Sequence, residues 1–328
     1  MALYLGVGGG GDVIMAATLA RWEDVGHVPW ERRSVDPEPG PVPPEAVRGA
    51  IRVCDGLYAV MPGSYAERGG RRFETQGACV ARVLNRPVYA VDPYRRPSEV
   101  ARALLKFGKV VGVDVGGDVL GAGCEDTLRS PLADAYSLAV LARVEDLGGS
   151  AELVVMSPGA DGELPLDYAL RRAAEIARRG GYLGSVGLVR DQIALLERLA
   201  EHCVTEASSI AVRAARGEYG VVKIRGGSRS VEVSLIATVG FVFDPRAALE
   251  ANAAARIIYE EDLPVDKAAD LLISLGIPTE LHAEMLASRG VPPERAAEVL
   301  MVFKSCDKLM RRWGLANTSI HADGRAAS

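Results

Sequence analysis

Short apolar runs alternate with longer helical patterns between residues 1 and 202. The predicted strands are Leu3–Val7, Leu57–Met61, Val88–Val91, Val110–Val113 and Leu153–Met156. The predicted helices are Asp12–Glu23, a helix through Cys79–Leu84, one near Ser98–Phe107, then Leu132–Leu147, Leu164–Arg179 and Arg190–His202. Near-continuous apolar strands interleaved with helices are typical of a parallel sheet covered on both faces. We therefore predict an α/β, Rossmann-like fold with a mainly parallel sheet.

The pattern changes in the last third of the chain. Tyr219–Ile224 and Ser230–Ile236 flank a glycine-containing turn and predict a hairpin, which Ala237–Phe243 extends. From Arg246 onward every periodic segment is helical. We expect a Rossmann-like domain with a late hairpin at 1–245, a small helical cap at 246–315 and a loose tail at 316–328.

Composition narrows the class of protein. The 328 residues are 48% hydrophobic and 25% charged, with a net charge of −5, which argues against a general nucleic-acid binder. No apolar run reaches the roughly 18 residues of a membrane helix, and no secretory signal pattern opens the sequence. We expect a soluble, cytoplasmic protein that acts on a small molecule, and the sequence leaves a homo-oligomer open.

Two counts of individual residue types carry further expectations. The five cysteines are odd in number and none forms a Cys-x-x-Cys pair, so we expect neither a disulfide framework nor a structural zinc site. The amides comprise only two glutamines and three asparagines, a scarcity that fits a thermophile.

The first predicted strand ends in a run of glycines. Gly6, Gly8 and Gly11 fit the Gly-x-Gly-x-x-Gly dinucleotide fingerprint, and Asp36 lies 25 residues beyond Gly11, near the place of a ribose-binding acid. However, Asp12 stands where an anion would dock on the helix N-terminus. The loop predicts ligand contact through the consecutive residues Gly8, Gly9, Gly10, Gly11 and Asp12. The alternative is a tight turn with Asp12 as a helix cap.

A second loop places two acids after a buried strand. Asp114 and Asp118 flank the pair Gly116 and Gly117, which lets the backbone turn sharply so that both carboxylates face one pocket. Paired hard oxygen ligands suit Mg²⁺, so we predict that Asp114 and Asp118 bind this metal. Glu125 follows in the same loop as a further catalytic candidate.

A third loop repeats the arrangement with Asp161 and Glu163, and Asp161 is a catalytic candidate. Asp134, in the first turn of a predicted helix, either points back to the acids or favours the helix dipole. Since parallel strands share a carboxyl edge, we expect the three loops to line one pocket.

Cationic and hydroxyl groups follow later in the chain. Arg225 and Arg229 flank the glycines of the predicted hairpin turn and can clamp a phosphate or carboxylate. The alternative is a solvated turn. Glu206 and Ser208, at the start of a further helix, complete the predicted ligand-binding residues together with Gly116 and Gly117 of the second loop. The sequence contains no P-loop, and Ser157 lies outside a nucleophile elbow.

These loops together resemble an uncharacterised, mainly archaeal family known only as a domain of unknown function. The resemblance covers most of the first 245 residues. The similar stretches are Gly8–Ile14, Gly112–Leu120, Ser130–Ala135, Thr205–Ser208 and Ile224–Arg229. The resemblance implies membership and no particular reaction. The loop at Gly112–Gly123 is also similar to a Gly-Asp-rich loop of D-glutamate cyclases.

The residues favour a Mg²⁺-assisted hydrolase or group transferase acting on a small phosphorylated or nucleotide-like metabolite. Asp114 and Asp118 would hold the metal, and Glu125 or Asp161 would assist. Two alternatives stay open. One is an NAD(P)-dependent oxidoreductase that uses the glycine fingerprint and Asp36, and the other is a non-catalytic nucleotide-binding sensor.

Overall fold

The computed structural model describes residues 1–305, apart from the side chains of residues 293, 294 and 297. The strands are β1 (Ala2–Gly6), β2 (Asp24–His27), β3 (Val47–Arg48), β4 (Ile51–Cys54), β5 (Leu57–Val60), β6 (Tyr65–Arg68), β7 (Arg71–Phe73), β8 (Val88–Val91), β9 (Lys109–Val115), β10 (Ala151–Met156), β11 (Tyr182–Gly187), β12 (Gly220–Ile224), β13 (Arg229–Val233) and β14 (Val239–Phe243). The helices are α1 (Asp12–Ala20), α2 (Gln76–Leu84), α3 (Pro97–Leu104), α4 (Pro131–Asp146), α5 (Leu166–Arg178), α6 (Arg190–His202), α7 (Ala207–Ala215), α8 (Pro245–Ala251), α9 (Ala253–Glu261), α10 (Val265–Ser274), α11 (Glu280–Ser288) and α12 (Pro293–Met301).

Nine strands form one sheet in the order β11-β14-β10-β9-β1-β2-β8-β5-β4. The five central strands β10, β9, β1, β2 and β8 are parallel to one another. Read across the sheet from β8 to β10, these strands are the third, second, first, fourth and fifth of the five in chain order. This is the doubly wound Rossmann order. The order reverses between β1 and β9, and ligands of such sheets bind outside the carboxyl ends of the strands at this switch point.

Hydrophobic cores cover both faces of the sheet. Along β9, Val110 belongs to the core that contains α3, α4 and α5, whereas Val111 belongs to the core that contains α1, α2, α6 and α7. Successive side chains of a strand point to opposite faces, so a strand buried on both sides must be apolar throughout. The predicted α/β class with a mainly parallel sheet is therefore confirmed.

The outer strands of the sheet do not share the parallel arrangement of the five central strands. β5 runs antiparallel to β8, and β14 runs antiparallel to β10. The sequence pattern missed β2 and β11, because β2 has only four residues and β11 carries Gly184 and exposed side chains. It also missed the small sheet of β3, β6 and β7. The predicted hairpin is confirmed as the antiparallel pair β12 and β13, which stands apart from the main sheet.

The C-terminal helices pack on the same core as α4. Ala254 and Ile258 of α9 and Leu272 of α10 are fully buried in the cluster that holds Leu141 of α4. The predicted helical region is therefore present as far as the described residues reach. The domain boundary at 245 stays a prediction, and the tail at 316–328 lies outside the described residues.

A disulfide between two of the described cysteines corrects the expectation from cysteine spacing. Cys79 of α2 and Cys203, directly after α6, are joined at a Cα–Cα distance of 5.8 Å. They lie 124 residues apart, and only the packing of α2 and α6 on one face of the sheet brings them together. Within residues 1–305, none of the helices combines the length and the apolar character needed to cross a membrane.

Candidate active site

A cavity of about 310 Å³ opens at the carboxyl ends of β1, β9 and β10, where the strand order reverses. All three predicted loops reach it, as their shared sheet edge requires. Acidic side chains dominate its wall. They are Asp12, Glu31, Asp114, Asp118, Asp134, Asp161, Glu163, Glu280 and Glu284.

The loop after β1 folds an acid onto its own backbone. The Gly8 amide donates a hydrogen bond of 2.8 Å to Oδ2 of Asp12. A Cβ on Gly6 would lie 2.6 Å from the Val13 nitrogen, so only glycine lets α1 start this close to the strand. All four glycines, Gly8–Gly11, line the cavity. Asp12 thus occupies the place at the start of α1 that a phosphate takes in nucleotide-binding relatives of this fold.

The loop after β9 turns on two glycines in conformations that other residues rarely adopt. Gly116 has φ +118° and Gly117 has φ +103°. This turn brings Asp114, at the end of the strand, and Asp118, after it, to the same cavity, and both side chains are buried.

The loop after β10 is fastened to the β9 loop. The Gly159 amide donates a hydrogen bond of 2.6 Å to the Gly116 carbonyl. Asp161 then packs against Gly116, where a Cβ would lie 2.6 Å from its Oδ1. The acids of two separate loops are therefore held side by side.

The N-terminus of α4 is capped by acids from elsewhere in the chain. Oε2 of Glu163 accepts the Arg129 and Ser130 amides at 2.6 and 2.9 Å. Oε1 of Glu280, from α11, accepts the Ala133 amide at 2.8 Å. Because the protein's own carboxylates take these free amides, the helix end is not available as an anion site.

Burial and mutual repulsion raise the pKa values of the cavity's aspartates. Burial, with the charge of Asp161, raises the pKa of Asp12 to about 8. Burial and neighbouring carboxylates also raise the pKa of Asp114, Asp118 and Asp134 well above the ordinary value. Burial and Glu163 raise the pKa of Asp161 as well. Such a group of carboxylates in a cleft marks a functional candidate.

The pKa of Glu163 is lowered, in contrast to those of the neighbouring aspartates. Burial alone would raise its pKa, but Arg229 and the hydrogen bonds from Ser130 and the Arg129 amide outweigh burial and lower it. Nη2 of Arg229 lies 2.9 Å from Oε1 of Glu163, and Nη1 donates to the Asp161 carbonyl at 3.0 Å. Arg229 therefore positions two acids and is absent from the cavity wall.

Two other arginines do line the cavity. Arg32 and Arg225 both face Glu206, with an Arg32 Nη1 to Glu206 Oε2 distance of 3.0 Å and an Arg225 Nε to Glu206 Oε2 distance of 3.6 Å. Burial, with the nearby charges of Arg32 and Arg229, lowers the pKa of Arg225. Its buried Nε has no hydrogen-bond acceptor among the described residues. The carboxylate of Glu206 is the anionic partner that both arginines share.

Besides Arg229, five predicted site residues are absent from the cavity wall, namely Gly116, Gly117, Glu125, Glu206 and Ser208. Both carboxylate oxygens of Glu125 accept amides of its own loop, from Ala122 and Gly123, and Tyr168 donates a further hydrogen bond of 2.9 Å. Glu125 thus shapes the loop instead of lining the cavity. Ser208 is fully buried beside Thr205 and is not part of the wall.

Sequence reasoning missed part of the wall. Trp30, Glu31 and Arg32 follow β2, and Glu280 and Glu284 come from α11. A signal existed for Glu31, which lies 20 residues after Gly11, the spacing of the ribose-binding acid in the fingerprint. Asp36, chosen for that role, instead pairs with Arg68 at 2.8 Å.

The sequence model of one protein family, described as "Protein of unknown function (DUF1152)", matches residues 3–288. The chain belongs to this family. The match confirms the resemblance drawn from the loops, and it spans every acid of the cavity, from Asp12 to Glu284. No curated protein and no solved structure matches the chain.

Proposed function

We propose that the protein is a metal-assisted hydrolase or group transferase that acts on a small phosphorylated or nucleotide-like metabolite, with Mg²⁺ as the metal. One observation carries the proposal: buried carboxylates and two arginines face a single cavity at the switch point of the sheet. The carboxylates suit a metal, and the arginines suit the anionic part of a substrate.

The donor set fits a hard divalent cation. Oxygen ligands are those that Mg²⁺ prefers, and Mg²⁺ is usually held by a few carboxylates together with substrate phosphates. Oδ2 of Asp114 and Oδ1 of Asp118 are buried and accept no hydrogen bond from any described residue. Each such atom costs free energy unless a partner is bound, so both support a cation ligand here.

The arginines supply the complementary charge. A guanidinium binds phosphate through two parallel hydrogen bonds, and Arg32 and Arg225 approach the cavity from different segments of the chain. When bound, Mg²⁺ supplies Lewis-acid polarisation of a phosphoryl oxygen. The arginines would hold the phosphate in place, and Asp161 would assist at the metal directly or through a water molecule.

The nicotinamide alternative has one specific observation in its favour. The strand order is that of dinucleotide-binding folds, and Glu31 lies on the cavity wall at the fingerprint spacing. Against it, the Asp12 carboxylate takes the Gly8 amide, where a pyrophosphate would have to bind. The density of acids around this loop repels a dinucleotide unless cations are present, so we favour the metal-assisted function.

Thermal unfolding of the protein with a panel of phosphorylated metabolites, with and without Mg²⁺, tests the proposal. We expect Mg²⁺ plus the correct ligand to raise the melting temperature by several degrees, since ligand at 100 times its Kd adds about 2.7 kcal/mol. Asp114→Asn should weaken the Mg²⁺-dependent part, whereas Asp126→Asn, which replaces an exposed acid of the same loop, should retain it in full.

Three results would speak against the proposal. If no divalent ion raises the melting temperature, with or without ligand, the metal role is wrong. A rise on binding NADH, with quenching of its fluorescence, would favour the oxidoreductase. Binding of a nucleotide without release or transfer of any group would favour the sensor.

A further inference from the structure

The acids nearest the switch point form two separate trios. The first trio is Asp12, Asp114 and Asp134, and the second trio is Asp118, Asp161 and Glu163. Within each trio, one carboxylate oxygen of every residue lies within 4.8 Å of the others. Oxygens that surround one cation at 2.0–2.6 Å are separated by about this distance or less, so each trio has the dimensions of a site of its own.

Unpartnered oxygens occur in both trios. Oδ2 of Asp114 and Oδ1 of Asp134 belong to the first trio, and Oδ1 of Asp118 belongs to the second. These side chains are 2%, 4% and 7% exposed, and all three line the cavity. A buried hydrogen-bond acceptor without a partner costs free energy. A cation bound at each trio would supply the missing partner.

Each trio also depends on a glycine. A Cβ on Gly8 would lie 2.6 Å from Oδ2 of Asp12 and 3.2 Å from Oδ1 of Asp134, both in the first trio. A Cβ on Gly116 would collide with Asp161 in the second trio. The backbone therefore makes room for the carboxylates of both trios, whose like charges repel each other without a cation.

The trios differ in charge. Glu163 of the second trio forms an ion pair with Arg229, with a distance of 2.9 Å between Oε1 and Nη2. Among the described residues, no arginine or lysine forms an ion pair with the first trio. Once its carboxyl groups have released their protons, the first trio thus presents more uncompensated negative charge to a cation than the second.

We propose that the two trios bind two divalent cations next to each other, tightly at the first trio and more weakly at the second. This inference rests on the proposed metal-assisted function and adds the number and the order of the cations. Paired cations that clamp the attacking and leaving oxygens are a recurring arrangement in enzymes of phosphoryl transfer and hydrolysis. Asp114 and Asp118, predicted from the sequence as one metal pair, would then serve different cations.

Mn²⁺ titration of the EDTA-treated, dialysed full-length protein tests this inference by calorimetry. The wild type should bind two Mn²⁺ per chain, with at least a tenfold difference in Kd. Asp134→Asn should lose the tighter site and keep the weaker one, and Asp118→Asn should do the reverse. Asp126→Asn, in the same loop as Asp118, should bind like the wild type.

A second readout covers the geometry and the folding of the variants. Electron paramagnetic resonance of the wild type with two Mn²⁺ should show a spin-coupled signal, which each single-site variant loses. Circular dichroism melting in EDTA establishes that the variants are folded, and Asp114→Asn or Asp161→Asn replaces any variant that is not.

The outcomes separate this inference from the proposed function. A single Mn²⁺ per chain that both variants abolish would overturn the two-cation inference and leave the metal-assisted function standing. Two sites that persist in both variants would also overturn it. The absence of any Mn²⁺ binding would overturn it together with the metal part of the proposed function.

Discussion

The Gly8 amide donates a 2.8 Å hydrogen bond to Oδ2 of Asp12, four residues further along the chain. This bond turns the first acid of α1 back across the glycine loop and into the cavity. At the position where dinucleotide-binding folds present free amides to an anion, this loop therefore forms part of an acidic site.

Replacing Gly8 by alanine should weaken Mn²⁺ binding at least tenfold. The new Cβ would meet Asp12 and Asp134 at distances that neither carboxylate can keep, and such overpacking costs about 1–3 kcal/mol. Gly9→Ala is the matched control, because the nearest atom to its Cβ is the Trp30 carbonyl oxygen at 3.7 Å. Calorimetry compares the two variants, and equal affinities would contradict the role given to Gly8.

Glu206→Gln should tighten the binding of a phosphorylated ligand by roughly threefold to tenfold, equal to about 0.7–1.4 kcal/mol. Glu206 holds Arg32 and Arg225 in the unliganded protein, so its charge competes with an incoming phosphate. Glu218→Gln serves as control, since Glu218 forms an exposed pair with Arg213. Ligand titration followed by calorimetry measures the change. Weaker binding in the Glu206 variant would mean that this acid positions the arginines instead.

Removing the disulfide by replacing Cys79 and Cys203 with serine should lower the free energy of unfolding by about 2–5 kcal/mol. The bond closes a long stretch of chain, and breaking it restores the conformational freedom of the unfolded state. Denaturant unfolding measures the loss, and reductant should destabilise the wild type more than the double variant. Cys54→Ser should behave like the wild type, because Cys54 is a free thiol. A double variant as stable as the wild type would contradict this prediction.

His27 should make the protein less stable in acid. Burial lowers its pKa from 6.5 to about 4, so between these values the unfolded chain binds a proton that the folded chain does not. The contribution is complete above pH 6.5 and is lost as pH falls towards 4, by about 3 kcal/mol in all.

Urea unfolding at pH 7 and at pH 4.5 tests this dependence. His27→Gln should lose less stability than the wild type between the two values, because glutamine does not titrate. The exposed residue His202, replaced by glutamine, should leave the difference unchanged. Equal losses in the wild type and His27→Gln would show that His27 is not the source.

The sequence was sufficient to predict the convergence of the three acidic loops, because parallel strands share one carboxyl edge. It was insufficient where the site depends on short or distant elements. The strand β2 has only four residues, too few for the hydrophobic pattern to predict it. Glu31, which follows this strand, was therefore assigned no role. Glu280 and Glu284 lie on a helix whose charges resemble a solvated face, and only tertiary packing brings them to α4 and Trp30.

Glu125 shows the opposite error. Its position seven residues after Asp118 suggested a shared site, but a carboxylate can also bond to the amides of its own turn, and here it bonds to Ala122 and Gly123. Proximity along the chain does not reveal which way a side chain turns in a loop. The direction depends on backbone amides whose positions the residue types alone do not determine.

The disulfide between Cys79 and Cys203 joins the ends of a long stretch of chain into a covalent ring. Most of the acids of the two trios belong to this ring. Asp114, Asp118, Asp134, Asp161 and Glu163 all lie between the two cysteines, and Asp12 alone of the two trios lies outside them. A protease that cuts the backbone once anywhere inside the ring leaves both pieces attached to each other. The nicked protein would run as one species without reductant and as two with it, so the disulfide would keep the cavity acids on one covalently joined molecule.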